Sequence, residues 1–335
     1  MSNYNLDQKL VIGLASSALF DLSESDHIFR TQGEEAYRLY QQEHENVPLD
    51  IGVAFPFIQR LLSLNNIFEQ EPFVEVILLS RNDPSTGLRV MNSIEHHQLN
   101  IKRAIFLQGG NPHEYINALN ISLFLSANET DVNQAITAGY PAGLIVKGYS
   151  AKLVHEDELR VAFDFDGVIA DDSSEQIYKK NGLNAFIENE KNLASEPANI
   201  GPLHKLFKQL SILQKAETEY KTRQPSYKNR LRISIVTARN APAHKRVIHS
   251  LRAWGIDTIN EAFFLGGIEK RKVLEVLKLH IFFDDQVTHV EKTAQSIASV
   301  HIPFGIANKK FEANQTTTSK EANPIVNHKQ SASEG

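Results

Sequence analysis

Short apolar runs that end in a small or acidic residue alternate along the chain with longer segments in which Leu, Ile and Val recur every three or four positions. The runs LVIGL (10–14), VEVILL (74–79), RAIFL (103–107), ISLFL (121–125), RVAF (160–163), RISIV (232–236), EAFFL (261–265) and HIFF (280–283) predict strands. The segments 87–97, 131–138, 202–214, 242–253 and 269–278 predict amphipathic helices. Strands that alternate with helices in this way point to parallel sheets with helices packed on their faces. From about residue 312 the pattern stops. The stretch EANQTTTSKEANPIVNHKQSASEG (312–335) is too poor in apolar residues to bury a core and is expected to be disordered.

The pattern also repeats. A slide of 149 positions places Ile28 on Ile177, Gly33 on Gly182, Ala36 on Ala185, Pro48 on Pro197, Gly52 on Gly201 and Leu61 on Leu210 without a gap. A slide of 157 then places Arg89-Val90 on Arg246-Val247, Ser93 on Ser250, Phe106 on Phe263 and Gly109-Gly110 on Gly266-Gly267. The change between the two slides fits an insertion in the polar stretch KAETEYKTRQPSYKNR before residue 231. Two copies of one α/β unit are expected, over 8–150 and 157–311. The alternative is that glycines recur at turns for backbone reasons alone.

Composition narrows the chemistry. The 335 residues carry 35 Lys+Arg against 40 Asp+Glu, a formal charge of −5, with 41% hydrophobic and 22% charged residues. That balance suits a globular chain of about two domains. It lacks the basic excess that nucleic acid or anionic lipid attracts, so neither is an expected partner. No cysteine is present, so a metal must be held by oxygen or imidazole, and Mg²⁺ is the default expectation. The N-terminal residues show neither a basic leader followed by an apolar core nor a span of about 18 apolar residues, so a cytoplasmic location is expected.

Candidate chemistry gathers in the second copy. In AFDFDGVIADD, Asp164 and Asp166 follow an apolar run, and residues two apart on an extended chain share a side. Both carboxylates then emerge at the carboxyl edge of a sheet, where open α/β folds bind ligands. Downstream, ISIVT ends on Thr237, GGIEK places Lys270 before a helix, and HIFFDD ends on Asp284 and Asp285. Singly, each reads as a cap, a solvated lysine or a helix-start acid. In this order after four strands they resemble the motifs of the haloacid dehalogenase (HAD) superfamily of phosphotransferases. More narrowly, ASSALFD (15–21), YQQEHENVPLDIGVAFPF (40–57), FLGGIEK (264–270) and HIFFDDQ (280–286) look like the type I cytosolic 5′-nucleotidases.

That resemblance implies two tandem HAD-like units of parallel sheet flanked by helices, and Mg²⁺-dependent hydrolysis of nucleoside 5′-monophosphates, AMP prominently. It makes Asp164 the nucleophile that forms an aspartyl-phosphate, and Asp166 the group that protonates the leaving 5′-oxygen. Thr237 and Lys270 complete the catalytic set. Mg²⁺ would be held by Asp164, Asp166 and a member of the Asp284/Asp285 pair, and Gly167, Thr237, Ala238, Arg239 and Lys270 would contact substrate. The helical stretch at about 173–230 would be a cap that excludes water, with Tyr178, Phe186, Phe55 and Phe57 as candidates for base recognition. The histidines, including His96-His97, read as surface or packing residues.

The first copy places Ala15, Ser17, Ser80 and His113 opposite Asp164, Asp166, Thr237 and Lys270, with Ala127 and Asn128, or Ser126 and Ala127 if one residue is inserted, opposite the acidic pair. One active site per chain is therefore expected, and the first copy is left as a scaffold or as the site of a regulatory nucleotide. A homo-oligomer is compatible with the sequence. The rivals are a HAD phosphatase for another phosphomonoester, such as a sugar phosphate, and a nucleotide-sensing protein without turnover.

Overall fold

The structure is a computed structural model that describes residues 4–68, 71–150 and 157–308. The segment from 312 onward, expected to be disordered, lies outside the described residues. In chain order the elements are β1 (Leu10–Leu14), α1 (Ser16–Leu19), α2 (Ser23–Gln32), α3 (Glu34–Glu43), α4 (Phe55–Ser63), β2 (Val74–Ser80), α5 (Pro84–His96), β3 (Arg103–Phe106), β4 (Leu123–Ser126), α6 (Glu129–Thr137) and β5 (Ala142–Ile145). The second half continues with β6 (Leu159–Phe163), α7 (Ser173–Asn192), α8 (His204–Arg223), β7 (Leu231–Thr237), α9 (His244–Ala253), β8 (Glu261–Phe264), α10 (Lys270–Leu277), β9 (Ile281–Asp284), α11 (Val287–Thr293) and β10 (Ser299–His301).

All ten strands form one sheet in the order β3-β2-β1-β4-β5-β10-β9-β6-β7-β8. Read outward from its centre, the first half runs β5-β4-β1-β2-β3 and the second runs β10-β9-β6-β7-β8, the same order. Every pair is parallel except β5 with β10, where Ile145 faces Val300 and Leu144 faces His301. Those two joining strands are absent from the sequence-based expectation. The segment AGLI is small and follows Pro141, and SVH is only three residues long, so neither has a period to read.

Side-chain alternation divides the core. Leu10, Ile12 and Leu14 of β1 point to the same cluster as Leu159, Val161 and Phe163 of β6, whereas Val11 and Ala162 face separate outer clusters under the helices of each half. The shared cluster is filled by exchanged helices. α4 packs on β2 of its own half and on β6 of the other, and α8 packs on β7 and reaches across to β1. Phe57 of α4 meets Phe283 of β9 edge-on at 6.4 Å, and Phe207 of α8 meets Phe163 of β6 at 5.2 Å. Of the stretch expected to form a cap, α8 is thus a core helix, with Leu206, Phe207, Leu210 and Leu213 fully buried. α7, which bends at Gly182, and the α2–α3 pair, which bends at Gly33, stand in corresponding places with positive φ of 81° and 89° at the bend.

Candidate active site

β6 lies between β7 and β9, and the chain leaves these three strands at neighbouring points on the carboxyl edge. Asp164 follows β6 directly, Thr237 ends β7 and Asp284 ends β9, so residues 47 to 120 positions apart meet at one rim. After Asp164 the backbone turns sharply, with Asp166 extended and Gly167 at φ 71°. A β-carbon at Gly167 would lie 2.5 Å from Asp285 Oδ2, so the close approach that requires glycine here is to the Asp285 carboxylate.

Lys270, the first residue of α10, binds two acids at once. Its Nζ lies 2.6 Å from Asp164 Oδ2 and 2.7 Å from Asp284 Oδ2, with all three side chains buried. Burial disfavours the ammonium, but the two carboxylates outweigh it and push the lysine pKa up. Asp164 is raised to about 6 by burial, with Lys270 opposing, and its Oδ1 accepts the Phe165 N–H at 2.7 Å. For Asp284, burial is overcome by Lys270 and His289, which hold it down to about 2. Asp284 is also fully partnered: Oδ1 accepts from Gln286 N at 2.8 Å, and His289 Nδ1 lies 3.1 Å from Oδ2.

Asp285 is the opposite case. It is 1% exposed, and neither carboxylate oxygen has a hydrogen-bond partner among the described residues. Burial, reinforced by Asp284 and Asp164, pushes its pKa well above the usual carboxylate range. A buried charge without a partner costs several kcal/mol, on the order of 3–5, which a divalent cation beside it would remove. Among the described residues, Asp164, Asp284 and His289 offer potential metal-ligand atoms that all lie within 4.8 Å of one another. Asp284 nevertheless has its lone pairs committed to Lys270, His289 and a backbone amide, so the donor chemistry favours Asp285 as the partner of Asp164.

Thr237 is buried, and its hydroxyl accepts the Arg239 N–H at 3.2 Å. Ala238 is exposed on the rim between them. Arg239 is buried and grips Asp166 with two prongs, Nε to Oδ2 and Nη2 to Oδ1, each at 2.7 Å. Its third nitrogen, Nη1, bonds Glu190 of α7, a residue that the sequence reading did not single out. The only hint lay in the repeat, which pairs Glu190 with Gln41 at the slide of 149. His289 was also missed: the histidines read as surface or packing residues, yet this one faces Asp284. Of the four aromatic candidates, Phe55 and Phe57 are fully buried in the shared core and cannot meet a base. Phe186 lies 5.6 Å from the Arg239 guanidinium and edge-on to Tyr178, which is half exposed.

At the corresponding rim of the first half, Ala15 follows β1 and Ser16 Oγ lies 3.3 Å from Ser80 Oγ. Ser17 Oγ accepts from Ala127 N, and Asn128 caps α6. No acid occupies the strand end. A cavity of about 660 Å³ opens there, lined among others by Ser16, Ser17, Arg30, Asn82, Asn128 and Lys147.

The family model for 5′-nucleotidase matches residues 2–309. Human cytosolic 5′-nucleotidase 1B is 33% identical over 310 residues, 91% of this chain and 50% of that protein. The chain therefore spans about half the length of that relative. No solved structure matches. With the family model covering nearly all of the described chain, and the acids, lysine and threonine of the expected motifs meeting at one sheet edge, the chain belongs to the 5′-nucleotidase family.

Proposed function

We propose that this protein is a Mg²⁺-dependent 5′-nucleotidase that hydrolyses AMP-like nucleoside 5′-monophosphates to nucleoside and phosphate in the cytoplasm. The reading divides the chain into a catalytic HAD-like unit (157–311) and a degenerate one (8–150). The observation that carries it is the unpartnered carboxylate of Asp285, buried beside the Asp164–Lys270 pair. Asp164, Asp285 and the backbone carbonyl of Asp166 would hold the cation, which when bound supplies the neutralisation that an anionic nucleophile needs to meet an anionic phosphate.

The chain's own residues do the rest. Asp164 is kept in place by the Phe165 amide and by Lys270, and attacks phosphorus to form an aspartyl-phosphate. Lys270 is oriented by Asp284 and offsets charge that grows on the phosphoryl oxygens. Thr237 presents its hydroxyl to the same oxygens, while Ala238 and Gly167 shape the rim. Asp166 gives its proton to the departing 5′-oxygen and later takes one from the attacking water. Both oxygens of Asp166 accept from Arg239, so one of those bonds must open before the proton can move.

A second reading concerns the first half. Its cavity has the size of a nucleotide site and carries Arg30 and Lys147 beside the acids Asp21 and Asp26, so a regulatory nucleotide there would place its phosphate on those two cations in competition with the acids.

Phosphate release from a panel of nucleoside monophosphates and sugar phosphates, with Mg²⁺ and with chelator, tests the proposal. Preference for nucleotides and loss of release on chelation support it. Preference for sugar phosphates overturns the substrate, full activity in chelator overturns the metal, and undiminished turnover by Asp164→Asn overturns the nucleophile.

A further inference from the structure

The two halves carry the same internal scaffold beneath the rim, and they differ at one charged chain. In the second half Arg246 Nε donates to the Glu196 carbonyl at 3.2 Å, and Ser250 Oγ accepts the Ala198 N–H at 2.8 Å. In the first half Arg89 Nε donates to the Val47 carbonyl at 3.0 Å, and Ser93 Oγ accepts the Leu49 N–H at 3.0 Å. These are the same bonds at the same slide positions. Above them the halves diverge. Glu190 is fully buried and binds Arg246 Nη1 at 2.9 Å, Ser174 Oγ at 2.8 Å and Arg239 Nη1, and Arg239 in turn holds Asp166. In the first half Gln41 takes the place of Glu190 and accepts from Arg89 Nη1 at 3.3 Å. Asn82 stands for Arg239, with the Tyr37 hydroxyl at 2.9 Å where the second half has Phe186, and Ser17 stands for Asp166.

Packing at this place is thus satisfied by an amide and one arginine. The buried Glu190–Arg239 pair, costly to desolvate, occurs only in the half that has a carboxylate at the rim to orient. Glu190 sits on α7, outside the strand ends that carry the other acids. Its Oε1, held by Arg246 and Ser174, fixes the carboxylate, and its Oε2 accepts from Arg239 Nη1, so the guanidinium is held between Glu190 and Asp166, and a planar fork held at one edge presents its other edge in one direction.

We infer that Glu190 is a positioning residue for proton transfer: through Arg239 it sets the orientation from which Asp166 delivers its proton to the leaving oxygen. The inference rests on the reading of Asp166 as proton donor. In that step the bond between phosphorus and the 5′-oxygen breaks as the Asp166 proton reaches that oxygen, so the nucleoside leaves as a neutral alcohol. A substrate with sulfur in place of the bridging 5′-oxygen has no need of that proton, since a thiolate leaves unaided, with a thiol pKa of about 8.5. It retains base, sugar and phosphate.

The test compares kcat/KM for adenosine 5′-monophosphate and for its bridging-sulfur analogue in the full chain and in Glu190→Gln, Arg239→Lys and Asp166→Asn. The first half already pairs glutamine with arginine at this position, so Glu190→Gln has an internal precedent for folding. Glu190→Gln is expected to lose about tenfold or more on the oxygen substrate, within the range of general acid catalysis, and less than about threefold on the sulfur analogue. Arg239→Lys, which keeps the charge and loses the fork, is expected to show the same selectivity and decides the matter if Glu190→Gln does not fold. Equal losses on both substrates, with Asp166→Asn still selective, would make Glu190 a structural residue and overturn the inference alone. An Asp166→Asn variant that loses equally on both substrates overturns the proton-donor reading itself.

Discussion

The two halves of this protein share a strand order, a helix bend at glycine and a set of buried hydrogen bonds, yet only one of them has acids at its strand ends. The difference separates what the fold needs from what the chemistry needs. Where the halves agree, as at Arg89 and Arg246 or Ser93 and Ser250, the side chains satisfy backbone groups. Where they disagree, at Ala15 and Asp164, Ser17 and Asp166, Gln41 and Glu190 or Ala127 and Asp285, the second half bears a charge that packing does not require.

The sharpest way to break that division is at the proposed nucleophile, Asp164. Asp164→Asn is expected to lower turnover by about 10⁴-fold or more, and restoring a carboxylate to the other half, Ala15→Asp in the same chain, is expected to recover nothing. By the strand register Pro112 occupies the place of Lys270 there, and Ala127 that of Asp285. Phosphate release by the double variant at the wild-type rate would end the assignment of a single competent half.

A second contrast concerns the core, where no such asymmetry is expected. Phe57 belongs to the first half but packs against Phe283 of the second, so Phe57→Ala should cost about 3–5 kcal/mol and leave one cooperative transition in denaturant. Two separate transitions would show that the exchanged helices do not couple the halves.

Smaller effects come from the paired glycines. A β-carbon at Gly52 would lie 2.8 Å from the Leu19 carbonyl carbon, and one at Gly201 would lie 2.2 Å from the Ala170 carbonyl oxygen. Gly52→Ala and Gly201→Ala should each lower stability by about 1–3 kcal/mol, measured as the shift of the urea midpoint. A neutral result at either position would mean that the scaffold is not duplicated there.

The mildest test uses pH. Without a cation Asp164 has its folded pKa at about 6, above its unfolded value near 3.8, and burial raises Asp285 well above that unfolded value too. Their protonation thus stabilises the fold fully below about pH 4, and that contribution is lost as pH rises through 6 and above. Asp284, held at about 2, acts in the opposite direction, and its contribution is lost only below pH 4. In chelator the melting temperature should fall by a few degrees between pH 5 and 8, and Mg²⁺ should flatten that slope. A Mg²⁺-independent slope would remove Asp285 from the metal.

Much of this architecture was readable along the chain. Eight of the strands announce themselves as apolar runs, and DFDG, Thr237, Lys270 and the Asp284-Asp285 pair lie next to those runs because strand ends are local features. The two strands that join the halves were not readable, because a pairing partner, rather than a period, makes three or four small residues into a strand. Nor was the fate of α8, whose polar and apolar residues fit a covering helix as well as a buried one.

Hydrophobic period and strand-end acids, properties of near neighbours in the chain, are therefore what the amino-acid order determined by itself: an α/β repeat with one chemically equipped copy. Tertiary structure alone decided that α4 and α8 cross into the opposite half, that Asp284 is partnered while its neighbour Asp285 is not, and that Glu190 reaches Asp166 through Arg239. The reason is that burial and charge pairing depend on which groups the folded sheet brings within a few ångströms of one another, a relation that sequence spacing does not encode.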